Sequence, residues 1–369
     1  MKFLVISDAH LIEQGGKKVA YAPYVKEMDL WMPLVDQTIF VCPKRIDGDL
    51  LAQPFIIQDF EQVGLRRLEF HTPLYAIISF ITLPYQALVL WNQMRKADHI
   101  HLRCPGNLAL LACFVQILFP WKKKTGKYAG NWNPSSKQPF SYKIQKWLLS
   151  NTFLTRNMKV LVYGEWEGMT KNIKPFFTAT YYAKEARESI KRDFQPPLRA
   201  IFVGTMSENK RPYETVQLVE RLNDMGLKIS LDMYGEGNEI ARIKRYILTH
   251  NLEHLVRIHG NQPEDIIKEA YFKSDILILL SKSEGWPKVV AEAMYWGVIP
   301  IATSISSVPW MLGYGERGVI INNIDFIKMN WISSILDDTI KLSEMSKKAQ
   351  KWSRQYTLDA FQEKIKKIL

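Results

Sequence analysis

DILILLSKSEGWPKVVAEAMYWGVIPIATS, residues 275–304, reads as strand, loop, helix and strand in one stretch. DILILL is a short apolar run closed by polar residues, the pattern of a strand buried on both faces. A helix is predicted from Pro287 to Trp296. Proline suits its first turn, where the missing N–H has no intrahelical partner, and Gly297 suits its stop. VIPIATS, 298–304, is then a second buried strand.

The same alternation extends upstream. AIFVG (200–204), ISLDMYG (229–235) and VRIHG (256–260) read as strands, with helices predicted over 212–225, 239–250 and 263–273. The paired prolines of DFQPPL (193–198) mark a linker. Before them FLVIS (3–7), TIFVC (38–42), HIHL (99–102) and KVLVY (159–163) are strands separated by helix-length segments. The expected class is α/β, with two doubly wound, Rossmann-like domains facing across a cleft. Their predicted limits are 1–195 and 196–345. A terminal helical segment, 346–369, is anchored by Trp352, Tyr356, Leu358 and Phe361 and expected to pack back on the first domain. In such sheets ligands sit beyond the carboxyl ends of the strands, so the chemistry belongs in those loops.

Composition bounds the function. With 369 residues, 47% hydrophobic and 23% charged, the chain has material for two cores and is too apolar for disorder. Cys42, Cys104 and Cys113 form neither a Cys-x-x-Cys pair nor an even framework, which fits a reduced interior. The apolar run Phe3–Ile6 ends at Asp8, a first strand rather than a signal-peptide core. Cytoplasmic localisation is expected, peripheral on the inner face of the plasma membrane.

Nearly all of the formal charge of +12 lies in the front half. Residues 1–198 carry 26 Lys and Arg against 16 Asp and Glu, whereas 199–369 carry 23 against 21. The densest cluster is Lys122, Lys123, Lys124 and Lys127 beside Trp121, Tyr128 and Trp132. It reads either as a contact for an anionic membrane surface or as a solvated face. Nucleic acid is set aside, because neither zinc-finger spacing nor an RNP-like aromatic motif accompanies it. Leu74–Trp91 is free of charge over 18 residues, long enough to span a bilayer. Pro84 in its middle argues against one straight helix. Helices packed in or on a soluble domain are the leading reading, with monotopic insertion and a span as alternatives. Leu108–Phe119 is too short to span.

Two carboxylates frame the helix start at 287. Glu284 lies in the preceding loop, and Glu292 falls about 7.5 Å along the axis from Pro287, roughly a diphosphate's length. Between them, free N–H groups and the positive helix end favour an anion. Ionised carboxylates only accept hydrogen bonds, so each suits hydroxyl pairs on a ribose or hexose. The whole cassette, with its Glu, seven residues, Glu spacing, resembles the donor domain of the retaining glycosyltransferases of family 4, of bacterial surface-polysaccharide type, over residues 199–345. That family has the two-domain GT-B fold. The resemblance implies that Glu284 contacts donor-sugar hydroxyls, that Glu292 holds the ribose, and that amides over Gly285, Trp286, Lys288 and Val289 meet sugar and diphosphate.

FVGTMSENKRP (202–212) is similar to the family's glycine loop, so Gly204 and Lys210 are implied at the diphosphate. Thr205 stands where an arginine is common, and Arg211 or Lys288 is expected to supply the second cation. Pro287 stands where a glycine is common and offers no N–H. YGEGNE (234–239) resembles the strand-end glycine loop, which implies Gly235 at the donor. In the first half, Gly15 and Gly16 match a Gly-Gly that lets backbone approach the donor phosphate or the acceptor, and Gly16 is implied at the donor. ADHIHLRCPGN (97–107) resembles an Asp-x-x-His-x-His strand end. It implies a catalytic role for His101 with Glu284 and Lys210, and an acceptor-binding role for Arg103. His99 is read as facing away from His101.

No Asp-x-Asp follows a strand and no His and carboxylate cluster has metal spacing, so no metal site is assigned and no cofactor is expected. The resemblance implies a metal-independent retaining hexosyltransferase. It would move a sugar from a nucleoside diphosphate donor, UDP foremost, to a glycan or polyprenyl-linked acceptor. A sugar-nucleotide epimerase of the same architecture and a non-catalytic nucleotide-sugar or polyanion-binding protein are the alternatives.

Overall fold

FLVIS forms β1 (Lys2–Ser7), five of whose six residues are buried. The computed structural model describes residues 1–44, 52–187, 192–322, 324 and 330–369. After β1 come β2 (Ile12–Gln14), β3 (Lys17–Tyr21), α1 (Ala22–Trp31), β4 (Gln37–Pro43), β5 (Ala52–Pro54) and β6 (Glu61–Leu65). Then follow α2 (Pro73–Lys96), β7 (His99–Cys104), α3 (Asn107–Val115), β8 (Lys123–Tyr128), α4 (Phe140–Ser150), β9 (Met158–Tyr163) and β10 (Ile173–Phe176). Seven of these strands make a parallel sheet in the order β10-β9-β8-β7-β1-β4-β6, with Leu4 opposite both Ile39 and Ile100. Leu4, Ile6 and Leu102 pack in one core with Leu90 and Met94 of α2, Ala112 of α3 and Leu148 of α4.

The remaining strands form a small antiparallel sheet, β2-β3-β5. Gly15 and Gly16 are the two-residue turn between β2 and β3, both at positive φ (56° and 72°), as a hairpin of the primed type requires. The Gly-Gly is therefore the tip of a hairpin rather than an open loop.

Two further corrections concern this half. Lys123–Tyr128, read as a basic surface cluster, is an interior strand of the sheet. Leu74–Trp91 belongs to a single helix of 24 residues that runs through Pro84. Pro84 and Phe80 are exposed, so the carbonyl freed four residues upstream lies away from the core. Thr72 caps the helix by accepting from the Tyr75 amide.

The second sheet is assembled from β11 (Leu198–Val203), α5 (Pro212–Asp224), β12 (Ile229–Tyr234), α6 (Ile240–Thr249), β13 (Val256–Gly260), α7 (Glu264–Lys273) and β14 (Ile276–Leu279). It continues with α8 (Lys288–Tyr295), β15 (Ile299–Thr303), α9 (Val308–Met311), β16 (Val319–Ile321), α10 (Asn330–Leu336), α11 (Thr339–Ser353) and α12 (Leu358–Lys366). Six parallel strands run β13-β12-β11-β14-β15-β16. Strand order reverses beside β11, which places its carboxyl end at the sheet's switch point.

Contacts divide the chain into Met1–Thr178 with Ala360–Leu369, here unit 1, and Ala179–Asp359, unit 2. The described residues of 179–195, assigned to the first domain from sequence, belong instead to unit 2. Arg192 donates to the carbonyls of Tyr271, Phe272 and Trp296, and Phe194 joins the second core. The tail anchors separate likewise. Trp352 and Tyr356 pack in unit 2 on Trp286 and Trp310, while Phe361 packs in unit 1 on Phe176 and Phe177.

Candidate active site

In unit 2 the loop after β11 is fastened to the loop after β14. The Lys282 amide donates to the Asn209 carbonyl at 2.8 Å, and Asn209 Nδ2 donates to the Ser283 carbonyl at 3.1 Å. Lys282 pairs with Glu208, and Lys210 Nζ donates to Glu284 Oε1. Residues 74 positions apart in sequence thus meet at the carboxyl ends of adjacent strands. The pair is only partly covered, with side-chain exposures of 21% for Lys210 and 12% for Glu284, so a ligand can reach it.

Behind this pair the loop after β12 closes tightly on the loop after β11. Gly235 lies at φ 133°, and a Cβ there would come within 1.9 Å of the Gly204 carbonyl oxygen. The Gly204 amide donates to the Tyr234 carbonyl, and the Met206 amide to that of Glu236. The glycine in YGEGNE is thus demanded by backbone packing, and it fixes where Gly204 and Lys210 sit. Arg211, at φ 51°, is the N-cap of α5 and lies 4.0 Å from Glu214.

Pro287 is the N-cap of α8 rather than its first helical residue, so Lys288 and Val289 supply the first helical amides, beside Glu284. The Gly285 carbonyl accepts from Ser306 Oγ (2.8 Å) and Ser307 Oγ (3.2 Å), which hold the loop in place. Glu292 is half-buried. Thr180 Oγ1 donates to its Oε1 at 2.6 Å and the Tyr271 hydroxyl to its Oε2 at 3.2 Å. Those bonds fix the carboxylate's direction and still leave lone pairs for further donors. Trp286 turns its side chain away from the loop's open side. It is 6% exposed and packs among Trp310, Trp352 and Tyr356, so its side chain anchors the loop from behind.

Asn209, Ser306, Ser307, Thr180 and Tyr271 were not singled out from sequence. They touch the motif residues from positions far along the chain, which no local spacing reports.

Unit 1 treats its candidates differently. His101 is fully buried, with Nδ1 2.7 Å from Thr125 Oγ1 and the ring against Trp31 and Phe3. His99 Nε2 reaches the same hydroxyl at 3.0 Å, so the two histidines share a face, as residues two apart on a strand must. Burial pushes their pKa values down to about 3 for His101 and about 4 for His99. Arg103 donates to Glu27 Oε1 at 2.6 Å, and Lys127 donates to Glu27 Oε2 at 2.7 Å. Burial alone would raise the Glu27 pKa, but these two cations overcome it and hold it at about 2. Arg103 is therefore committed to an internal pair rather than presented to an acceptor. Lys124 is also interior, donating to the Gln116 side chain and to the Phe119 carbonyl. Among the described residues no three His, Cys, Asp or Glu side chains group as metal ligands.

Residues 184–352 match the family model described as glycosyl transferases group 1. Over those residues, less than half of the chain, the sequence is similar to that family. The loops carrying Lys210 and Glu284, and α8 with Glu292, all lie within the matched residues. Relatives include the N-acetyl-alpha-D-glucosaminyl L-malate synthase of Bacillus anthracis, 26% identical over 149 residues, which are 39% of this chain and 38% of that protein. The putative colanic acid biosynthesis glycosyltransferase WcaL of Salmonella typhimurium is 22% identical over 183 residues, 47% and 45% of the two chains. The chain thus spans less than half the length of these relatives.

Beyond the matched residues, similarity to solved structures covers nearly the whole chain. Alr3699/HepE of Anabaena, solved with UDP and glucose, superposes with a TM-score of 0.66 at 14% identity, over 99% of this chain and 98% of that one. A glycosyltransferase from Rickettsia africae gives 0.67 at 16%, over 100% and 97%. The fold is GT-B, with the matched residues in its second half.

Proposed function

We propose that the protein is a retaining glycosyltransferase of family 4 that transfers a hexosyl group from a UDP-sugar to a glycan or lipid-linked acceptor. It would work in bacterial surface-polysaccharide synthesis, on the cytoplasmic side of the plasma membrane. The observation that carries this reading is the partly open Lys210–Glu284 pair at the switch point, beside the first amides of α8. A donor placed there meets a cation and a helix N-terminus with its diphosphate, and a carboxylate with its sugar hydroxyls. Lys210 then shifts from Glu284 toward the phosphate, freeing Glu284 to accept from the sugar. Glu292, aimed by Thr180 and Tyr271, accepts from the ribose.

In the reaction the bond from C1 to the diphosphate oxygen breaks and the acceptor oxygen bonds to C1 on the same face. The acceptor proton passes to the departing phosphate oxygen. Lys210, Lys288 or Arg211 and the α8 amides stabilise the charge that develops there, which is electrostatic preorganisation without a divalent cation. The names of the relatives agree with this direction, since WcaL is described in colanic acid biosynthesis and the HepE structure holds UDP and glucose.

Binding to the native state alone raises the melting temperature, so a thermal-shift panel of UDP-, GDP- and ADP-sugars reads donor choice. A UDP-sugar should give the largest shift, and no shift with any of them overturns the proposal. Glu292→Ala should weaken UDP-sugar binding about tenfold to a hundredfold, roughly 1.5–3 kcal/mol for lost hydrogen bonds to a charged group. Unchanged affinity in the folded variant removes the ribose assignment. Acceptor-dependent UDP release that survives EDTA is expected; no release would assign a binding protein, and conversion of the sugar without an acceptor would assign an epimerase.

A further inference from the structure

α2 is built inside out. Its buried stripe, Ser79, Gln86, Leu90, Gln93 and Met94, includes three polar residues. On the opposite side Leu74, Ile77, Ile81, Tyr85 and Leu88 recur at three- and four-residue steps, and all are exposed, from 57% to 72%. A helix on a water-facing domain turns its apolar stripe inward. Leu90 and Met94 nevertheless sit in the unit 1 core, so the helix is held along the domain rather than free to cross a bilayer.

The surroundings share this character. Residues 70–156 contain eleven Lys and Arg and a single acidic residue, Asp98. Arg103, Lys124 and Lys127 are covered, and the other eight lie outside the core. The same stretch exposes fifteen large apolar side chains, against six among the described residues of unit 2. Beside α2 lies a cavity of about 920 Å³ walled by Phe80, Leu83, Leu110, Leu111, Phe114 and Phe140. Phe80, Phe114 and Phe140 are also exposed, so the cavity is continuous with the apolar surface. Its lining also has polar residues, Asp8, Arg67 with its partner Glu69, His71 and Asn107, of which Asp8 and Asn107 follow the carboxyl ends of β1 and β7. Asp8 there accepts from the Leu108 and Ala109 amides of α3.

We propose that α2 docks in the interface of an anionic bilayer and that the cavity receives the hydrocarbon chain of the lipid carrying the acceptor. The occupant follows from charge and shape together. An apolar helix flank in a stretch with eight uncovered cations and one carboxylate fits anionic lipid, and an apolar cavity that also has polar lining fits a chain with its head. The contact belongs to α2 and its neighbours rather than to Lys122–Lys127, half of which is interior. The lipid nature of the acceptor rests on the transferase reading, whereas bilayer docking does not.

The test is flotation of the full chain with phosphatidylcholine vesicles, with and without phosphatidylglycerol, at low and high salt. The wild type should float with the anionic vesicles at low salt and partly detach at high salt. Ile77→Ser/Ile81→Ser/Leu88→Ser should lower partition about tenfold or more at an unchanged melting temperature, because these side chains are already exposed. Failure of the wild type to float, or equal flotation of the variant, overturns docking. A dimer that the triple variant dissociates, without vesicle binding, assigns the face to a second copy and does the same. A phosphatidylglycerol with a photoreactive chain terminus should label both α2 and α3, and Leu111→Trp should lose the α3 label. Labelling confined to α2 overturns the cavity assignment. The UDP-sugar thermal shift is read in parallel. Failed flotation with an intact shift sinks the lipid inference alone, and flotation without any shift sinks the transferase reading and the acceptor's place in the cavity while bilayer docking stands.

Discussion

Glu27 in unit 1 and Glu284 in unit 2 are both ion-paired, and they do opposite work. Glu27 is 5% exposed and has both oxygens filled, one by Arg103 and one by Lys127, which also lies 4.8 Å from the Phe361 ring centre. Glu284 shares one oxygen with Lys210 at the edge of a loop, where both side chains remain partly exposed. A sealed pair is closed to a ligand by its burial and serves the fold. An open pair is partly exposed to solvent, and the proposed donor diphosphate would redistribute it. Charged residues at strand ends are therefore sorted by coverage, not by residue type.

The sharpest way to break that contrast is Glu27→Ala. It leaves Arg103 and Lys127 facing each other in the interior, and removing one partner of a buried ion pair costs about 3–5 kcal/mol. Urea denaturation should show the loss, while a UDP-sugar thermal shift should persist wherever unit 2 remains folded. The pH dependence has a defined sign. A carboxyl held at about 2 against an ordinary 4.5 contributes stability that is complete above 4.5 and lost as pH falls toward 2. The variant should lack that share of the acid transition. A loss below about 1 kcal/mol would mean that the two cations find other partners.

Lys210→Ala tests the open pair and should move catalysis rather than stability. Removing one preorganised electrostatic group costs on the order of a hundredfold to a thousandfold in turnover. Steady-state kinetics with a UDP-sugar should show the loss mainly in kcat. Activity within a few-fold of wild type would shift the phosphate role to Arg211 or Lys288.

Legibility in the sequence follows the same division. In unit 2 each predicted strand and helix from 200 to 304 recurs within one or two residues. Parallel strands covered on both faces leave unbroken apolar runs, and Pro212, Pro287 and Gly297 mark helix ends. Glu284 and Lys210 were legible as motifs, but their meeting depends on Asn209 bridging two loops. In unit 1, KKTGKY gave no strand signal. Lys124 and Lys127 are interior only because Gln116, Phe119 and Glu27 satisfy them, and periodicity carries no trace of such partners. α2 was read as packed in or on the domain, but its continuity through Pro84 and the inward turn of the polar Ser79, Gln86 and Gln93 were not legible.

The smallest effect on catalysis should come from His101→Phe, and it sharpens the comparison most finely. A general acid or base contributes about a hundredfold to ten-thousandfold, so a catalytic His101 would show a loss of that size. His101 instead lies fully buried against Trp31 and Phe3, with Thr125 Oγ1 as its partner, and phenylalanine suits that aromatic wall. Turnover should change by no more than a few-fold. Stability against pH is the more informative reading. A histidine whose pKa falls from 6.5 to about 3 on folding contributes stability that is complete above 6.5 and lost as pH falls toward 3. In that window the unfolded chain binds a proton that the native state refuses, at up to about 1.4 kcal/mol per pH unit. His99 adds the same trend down to about 4 and stays in the variant. Acid titration of the melting temperature should therefore be shallower for His101→Phe than for wild type, yet not flat. A large fall in kcat with an unchanged titration would return His101 to the reacting groups and erase the distinction between the two units.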